Sequence, residues 1–337
     1  MATQKAALER QSDAATTRAK RDMLVRTVGA AAGLLIAVLV VNTFAHGAFL
    51  TAGNLTNVLR QIAATAVMAI GQTFVIITAG IDLSVGSVAA VAGVIMALVA
   101  NALPFDGFPL VVVTLLAGIA IGAIAGWINA LPVVRLNLPP FITTLAMLSI
   151  ARGLAYRIAP GGRPVALNSD AFSAIGTGFI AGVPVSVIWM LVLVVAFAVV
   201  LGRTRFGRYV YALGGNEEAA RLAGVHVGRV KTLVYVISGA LAAIAGFLFM
   251  ARFGSGSPNS ATGYELNAIA AVVVGGTSLS GGRGAIFGTF LGALLIGLLN
   301  NIMDLLQIES YTQQIVLGAV ILLAVVLDEL RKRYLHR

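Results

Sequence analysis

Long apolar runs recur along this chain, and they constrain its fold more than any other feature. They fall at about residues 27–45, 58–79, 84–101, 109–131, 141–158, 184–201, 232–251, 266–277, 284–302 and 312–328. A helix needs about 20 apolar residues to cross the hydrocarbon core of a bilayer. No water reaches the backbone there, so a spanning segment must satisfy its own N–H and C=O groups, as a helix does. Of the 337 residues, 59% are apolar and 11% charged, against roughly 25% charged in a soluble domain. The runs therefore predict an all-α integral membrane protein, a polytopic bundle of about ten transmembrane helices. A soluble enzyme, a secreted disulfide module and a disordered chain are excluded. With no cysteine in the chain, disulfides, thiolate metal sites and Cys nucleophiles are excluded too.

The formal charge is +10, and its placement indicates a membrane topology rather than a nucleic-acid partner. Residues 1–26 hold Lys5, Arg10, Arg18, Lys20, Arg21 and Arg26; residues 202–231 hold Arg203, Arg205, Arg208, Arg221, Arg229 and Lys231. The tail adds Arg331, Lys332, Arg333 and Arg337. With Arg135 and Arg283, these make 18 cations on one side of a ten-span alternation, against five elsewhere: Arg60, Arg152, Arg157, Arg163 and Arg252. Cytoplasmic loops carry the excess of Lys and Arg, so both termini are expected to be cytoplasmic. The division is then a basic extension (1–26), a transmembrane domain (27–330) containing one large cytoplasmic loop (202–231), and a basic tail (331–337). Small residues at 44–48 permit a cleaved signal peptide as a rival to the first span; the many spans behind it favour an uncleaved helix. His46, His226 and His336 are scattered and suggest no metal site.

Two spans carry glycine at every fourth position: Gly118, Gly122 and Gly126, and Gly284, Gly288 and Gly292. Such stripes let helix backbones approach in lipid and need no ligand. The apolar pattern also breaks twice inside the bundle. Residues 80–86 read Gly-Ile-Asp-Leu-Ser-Val-Gly, with Asp82 the only acid between Asp22 and Asp106. A carboxylate at membrane depth is costly and faces protein or a cavity. The break is expected to be a broken helix whose freed backbone groups bond to Asp82 or Ser84. Residues 276–282 read Gly-Thr-Ser-Leu-Ser-Gly-Gly; at an offset of 196, Gly80, Leu83, Ser84 and Gly86 match Gly276, Leu279, Ser280 and Gly282. A degenerate internal repeat and chance both account for that. Broken helices mark transport pathways, so Gly80, Asp82, Ser84, Gly86, Gly276, Ser278, Ser280 and Gly282 are the pathway or gate candidates. For Asp82 a structural role is favoured over solute contact. Neither break is a phosphate loop: none of Lys5, Lys20, Lys231 and Lys332 follows a glycine. Any ATPase is therefore a separate subunit.

In the 202–231 loop, Asn216 is placed to N-cap a short helix. Glu217 and Glu218 suit its positive end, and Gly224 can close it in a left-handed turn. Its small-residue face can enter a partner's groove, or the helix can lie on lipid headgroups as a spacer.

Four segments occur in a specific order: 80–86 (GIDLSVG), 138–154 (LPPFITTLAMLSIARGL), 215–225 (GNEEAARLAGV) and 263–284 (GYELNAIAAVVVGGTSLSGGRG). In that order the chain resembles permeases of ATP-binding-cassette importers of the ribose, xylose and arabinose type; more distant relatives carry branched-chain amino acids. The likeness covers about residues 50–328. It implies a permease in a bacterial inner membrane that works beside a second permease copy. Two cytoplasmic ATPase subunits would bind the ATP and Mg, an extracytoplasmic binding protein would deliver sugar, and the chain itself would hold no cofactor. In such permeases the Glu-Ala-Ala…Gly loop docks on the ATPase, so the resemblance makes Asn216, Glu217, Glu218, Ala219, Ala220 and Gly224 the coupling candidates. An ion-coupled secondary transporter is the rival reading, with Asp82, Glu265, Asp304 and Glu309 as its few titratable groups. A membrane-embedded enzyme would need paired carboxylates or a nucleophile set that the sequence does not offer.

Overall fold

A computed structural model describes Gly47 and residues 49–335. The basic extension and the expected first span, 27–45, lie outside the described residues. The chain opens with α1 (Ala52–Ile77), α2 (Val85–Ala102), α3 (Phe108–Arg135) and α4 (Pro140–Ile158). A mixed excursion follows: β1 (Val165–Ala166), α5 (Ser173–Gly176) and the hairpin β2 (Phe179–Ile180) and β3 (Val183–Pro184). Next come α6 (Val185–Arg203), α7 (Arg205–Gly215), α8 (Glu217–Leu222) and α9 (Val227–Phe253). The chain closes with β4 (Ser255–Gly256), α10 (Tyr264–Val274), α11 (Ile286–Leu305) and α12 (Ser310–Leu335). The fold is mostly helical.

Seven of these helices are long and apolar enough to cross a membrane: α1, α2, α3, α4, α6, α9 and α11. Three expected spans are not among them. One lies outside the described residues. The run at 266–277 becomes α10, whose 11 residues reach only about 16 Å at 1.5 Å per residue; it does not cross alone. The run at 312–328 lies in α12, a helix of 26 residues whose side chains are described only as far as Val326.

Glycine sets the packing. The core is built around α1 and α9, the two most buried of the seven, with α2 and α3 against α9. Lipid tails are as apolar as leucine, so helices associate by close backbone contact. The first stripe provides it: a Cβ at Gly122 would collide with the Gly239 carbonyl on α9, and one at Gly126 with the Tyr235 carbonyl. The second stripe seats α11 on α10, with Gly288 against the Gly275 carbonyl and Gly292 against that of Ala271. Both stripes therefore serve helix packing, except that Gly284 falls before α11 begins and packs on Thr277 in the turn.

Segments assigned to one side by charge meet at one end of the bundle. There the end of α1 meets the second break, where the Gly282 N–H donates to the Ile77 carbonyl at 2.9 Å. A cavity of about 280 Å³ at this end is lined by Val133, Asn137, Glu217, Arg221 and Lys231. At the other end, Asn54 and Asn301 exchange amide hydrogen bonds at 2.9 and 2.8 Å. Asn101 donates to the Ala166 carbonyl at 2.7 Å, Ser169 donates to Asp106, and β1 pairs antiparallel with β4.

Candidate functional site

The first break is a closed polar cage. Helix α1 stops at Ile77, Ala79 takes a left-handed turn at φ 59°, and the chain folds back along α1. It returns far enough for the Gln72 amide to bracket the Asp82 backbone, its Nε2 3.2 Å from the Asp82 carbonyl and its Oε1 3.1 Å from the N–H. One carboxylate oxygen of Asp82 accepts from the Ser84 N–H at 2.9 Å and the Ser84 hydroxyl at 2.6 Å; the other accepts from Ser238 on α9 at 2.8 Å. Asn129 on α3 donates to Ser84 Oγ at 2.9 Å, and Thr144 on α4 donates to the Ile81 carbonyl at 3.1 Å. Four helices, α1, α3, α4 and α9, thus converge on these seven residues.

This is the expected bonding between Asp82, Ser84 and the freed backbone. Asp82 and Ser84 are each 1% exposed, so in this conformation neither faces an open path. Gly86 is packed under the first turn of α10, where a Cβ would strike Glu265 and the Ala261 carbonyl. Gly80 sits under the Tyr235 hydroxyl. Nothing in the sequence marked Gln72, Asn129 or Ser238 as partners, because each is a polar residue inside an apolar run that only the folded helices bring to Asp82.

The second break is a glycine turn with a different local shape. Gly276, Gly281 and Gly282 lie at φ 86°, 82° and 71°, in the region where glycine carries no Cβ penalty. Ser278 N–H donates to the Arg283 carbonyl at 3.0 Å, and helix α11 starts only at Ile286. In the first break, α2 starts directly after Ser84, and neither Gly80 nor Gly86 has a positive φ. The residue pairing at an offset of 196 therefore does not reflect matching conformations. What the breaks share is contact: a Cβ on Gly281 would lie 2.9 Å from the Ile77 carbonyl and 3.1 Å from Ala79 Cβ.

The 202–231 loop holds two helices, where the sequence reading found one. Thr204 caps α7, accepting from the Gly207 N–H at 3.1 Å. Its apolar side packs on the bundle: Phe206 stacks on Phe74, and Val210 and Leu213 are buried. Tyr211 donates to the Gly284 carbonyl at 2.7 Å. Gly214 lies against the Ile77 carbonyl and the Gly282 N–H. A cavity of about 330 Å³ beside this contact is lined by Gly214, Gly215, Ser278, Ser280 and Arg283.

Helix α8 follows immediately. Asn216 Oδ1 accepts from the Ala219 N–H at 2.9 Å, which is the expected N-cap. Gly224 is left-handed at φ 83°, and Val225 and Gly224 donate to the Ala220 and Arg221 carbonyls, a Schellman closure. Glu217 reaches back to Lys231 on α9 at 2.7 Å and Ala220 is buried, so these two hold α8 to the bundle. Glu218, Ala219 and Gly224 face outward, and so does Leu222, 82% exposed. Leu222 was not among the candidates; its signal was a lone large apolar side chain in a helix otherwise polar or small.

Residues 54–325 match the family described as branched-chain amino acid transport system / permease component. A ribose import permease protein of Haemophilus influenzae is 45% identical over 300 residues, covering 87% of this chain and 90% of that protein. One from Escherichia coli strain K12 is 45% identical, covering 88% and 91%. One from Bacillus subtilis is 42% identical, covering 91% and 94%. No solved structure matches the chain.

Proposed function

This chain belongs to the permease-component family of the branched-chain amino acid transport systems, and from that premise we propose that it is the membrane-spanning subunit of an ATP-binding-cassette importer for a monosaccharide or related polyol. It is a multi-pass protein of the bacterial inner membrane. The sugar assignment follows relatives named as ribose import permeases, at 42–45% identity over nearly their whole length. ATP and Mg are bound by separate ATPase subunits, and an extracytoplasmic binding protein supplies the solute. A second permease, a copy or a paralogue, completes the pathway.

One observation supports the coupling mechanism above the rest. The exposed helix α8 continues directly from α7, and through Gly214 α7 touches the last residue of α1, Ile77, and the second break at Gly282. A push on α8 therefore reaches the end of α1 and the second break without passing through a flexible linker. Glu218, Ala219 and Leu222 form the docking face; Asn216, Glu217, Ala220 and Gly224 fix its angle. The breaks serve as hinges of alternating access, with Asp82 holding the first hinge together.

The test is co-purification of the ATPase with Leu222→Asp, a change at a site whose side chain touches little of this chain. We expect the variant to reach the membrane at parental levels, lose most of the bound ATPase and lose sugar uptake. Parental ATPase recovery and uptake from Leu222→Asp and Glu218→Lys would reject α8 as the docking element.

A further inference from the structure

The stretch after α9 does something unusual for a membrane chain. It leaves α9 at Gly254 and runs back down the outside of α2 as non-helical backbone. A Cβ at Gly256 would lie 2.9 Å from Ala97 Cβ, and Ala261 and Glu265 sit against Gly86. The Gly256 Cβ would also strike the Gly93 carbonyl, and between Gly93 and Gly86 α2 runs about 10 Å, so residues 256–261 follow α2 inward as far as its first turn before α10 begins. The descent is held by α4, and the start of α10 by a local bond. Arg152 Nη1 on α4 donates to the Pro258 carbonyl and, at 2.9 Å, to the Ser260 carbonyl; Glu265 Oε1 accepts from the Gly263 N–H at 3.3 Å. Tyr156 on α4 donates to Asn259 Oδ1.

Yet among the described residues nothing covers the polar side chains of this segment. Asn259, Thr262 and Tyr156 are exposed, although irregular backbone at membrane depth does not face lipid and persists only within protein or against a water-filled cavity. Helix α4 carries the same contradiction. It is the least hydropathic of the seven long helices, yet its apolar stretch is no more buried than that of α6, the most hydropathic. Exposure suits α6 because lipid can cover it. The α4 side around Ser149, Gly153 and Tyr156 does not suit lipid.

We propose that residues 257–262 and the adjoining side of α4 form a water-lined binding wall of the translocation pathway, where a neutral polyhydroxylated solute is held in transit by Tyr156, Asn259 and Thr262. The chemistry fits that class: hydroxyl and amide groups offer donors and acceptors together, and the clamping Arg152 and Glu265 cancel in charge. The assignment rests on the importer reading. It moves solute contact from the buried breaks to a segment the motifs did not single out.

The chain has no cysteine, so single cysteines report cleanly. Asn259→Cys and Thr262→Cys, in the assembled importer in native membranes, are treated with a charged, membrane-impermeant thiol reagent, with and without nucleotide and vanadate. Val195→Cys on the lipid-suited face of α6 is the reference. The wall is supported if both positions react at least tenfold faster than Val195→Cys in one nucleotide state, and if Asn259→Ala and Tyr156→Phe each cut labelled D-ribose uptake roughly tenfold, the size of one lost hydrogen bond, at parental abundance. Cysteines as unreactive as Val195→Cys in every state would overturn it. Reactive cysteines with parental uptake in both variants would leave a wet surface without binding and overturn the solute contact. If the parent complex moves no member of a panel of pentoses, hexoses and polyols, the importer reading itself fails, whatever the labelling shows.

Discussion

At the scale of single residues, the cage around Asp82 is the most demanding chemistry in the molecule. The Asp82 carboxylate accepts three hydrogen bonds in a site closed to water. Asp82→Ala strands the Ser84 and Ser238 donors, and a buried polar group left unpaired costs roughly 1–3 kcal/mol. We expect that variant to lose stable protein in the membrane. Ser238→Ala removes one partner only and should lower the detergent-solubilised melting temperature by a few degrees while uptake persists. Fluorescence-detected thermal unfolding separates the two; equal stability of Asp82→Ala and parent would refute the cage's structural role. The local half of this site was legible, since Asp82 and Ser84 stand two residues apart in a glycine-flanked break. The distant half was not, because Gln72, Asn129 and Ser238 are ordinary polar residues until the fold brings their helices together. A second carboxylate is visible from outside the spans. Ser169 and, next, the Gly107 N–H hydrogen-bond Asp106 and hold its pKa below the usual carboxylate range. Its contribution to stability is therefore present above the unfolded value of about 3.9 and is lost as pH falls through the lower folded value. Ser169→Ala should move the Asp106 titration upward, read by carboxyl-carbon NMR.

At the scale of elements, glycine stripes and helix caps were readable because each is a local pattern with one physical reason. The contact of α3 with α9 can be tested directly. A side chain at Gly122 meets the Gly239 carbonyl and Ala243, whereas a Cβ on Gly153 of α4 would meet nothing within 4 Å. Overpacking of this kind costs roughly 1–3 kcal/mol or more. Gly122→Leu should therefore shift the protein to aggregates on size-exclusion chromatography, while Gly153→Ala elutes as the parent does. Helix α7 was hidden for a different reason. Phe206, Val210 and Leu213 follow helical spacing, but they stand between Arg203, Arg205 and Arg208, and the charge was read as loop. The charges face outward, and the apolar residues lie on the end of α1. Helix α10 was misjudged by length: an apolar run does not say where the helix within it begins, and here α10 begins at Tyr264 only after a non-helical, turn-rich descent.

At the scale of the whole molecule, the two ends of the bundle carry the topology. Arg135, Arg203, Arg205, Arg208, Arg221, Arg229, Lys231 and Arg283 lie on segments at one end; Arg60, Arg152, Arg157, Arg163 and Arg252 lie toward the other. The acids sharpen the contrast. Among acids with described side chains, Glu217 and Glu218 join the first group, while Asp106, Asp170, Glu265, Asp304 and Glu309 join the second. Lys and Arg excess orients loops toward the cytoplasm, so the end bearing α7 and α8 is expected inside. Helix α1 begins at the opposite end, where Asn54 meets Asn301. A basic head at 1–26 therefore joins the other cations only if residues 27–45 cross the membrane. Cysteines placed at the exposed positions Arg229 and Asp170 test this. Arg229→Cys should react with an impermeant reagent only in inverted vesicles, Asp170→Cys only in intact spheroplasts, and an N-terminal epitope should behave as Arg229→Cys does. The opposite sidedness would remove α8 from the reach of any cytoplasmic ATPase. An epitope accessible from outside would mean that 27–45 does not span, and the charge argument would then fail for the head while holding for the bundle.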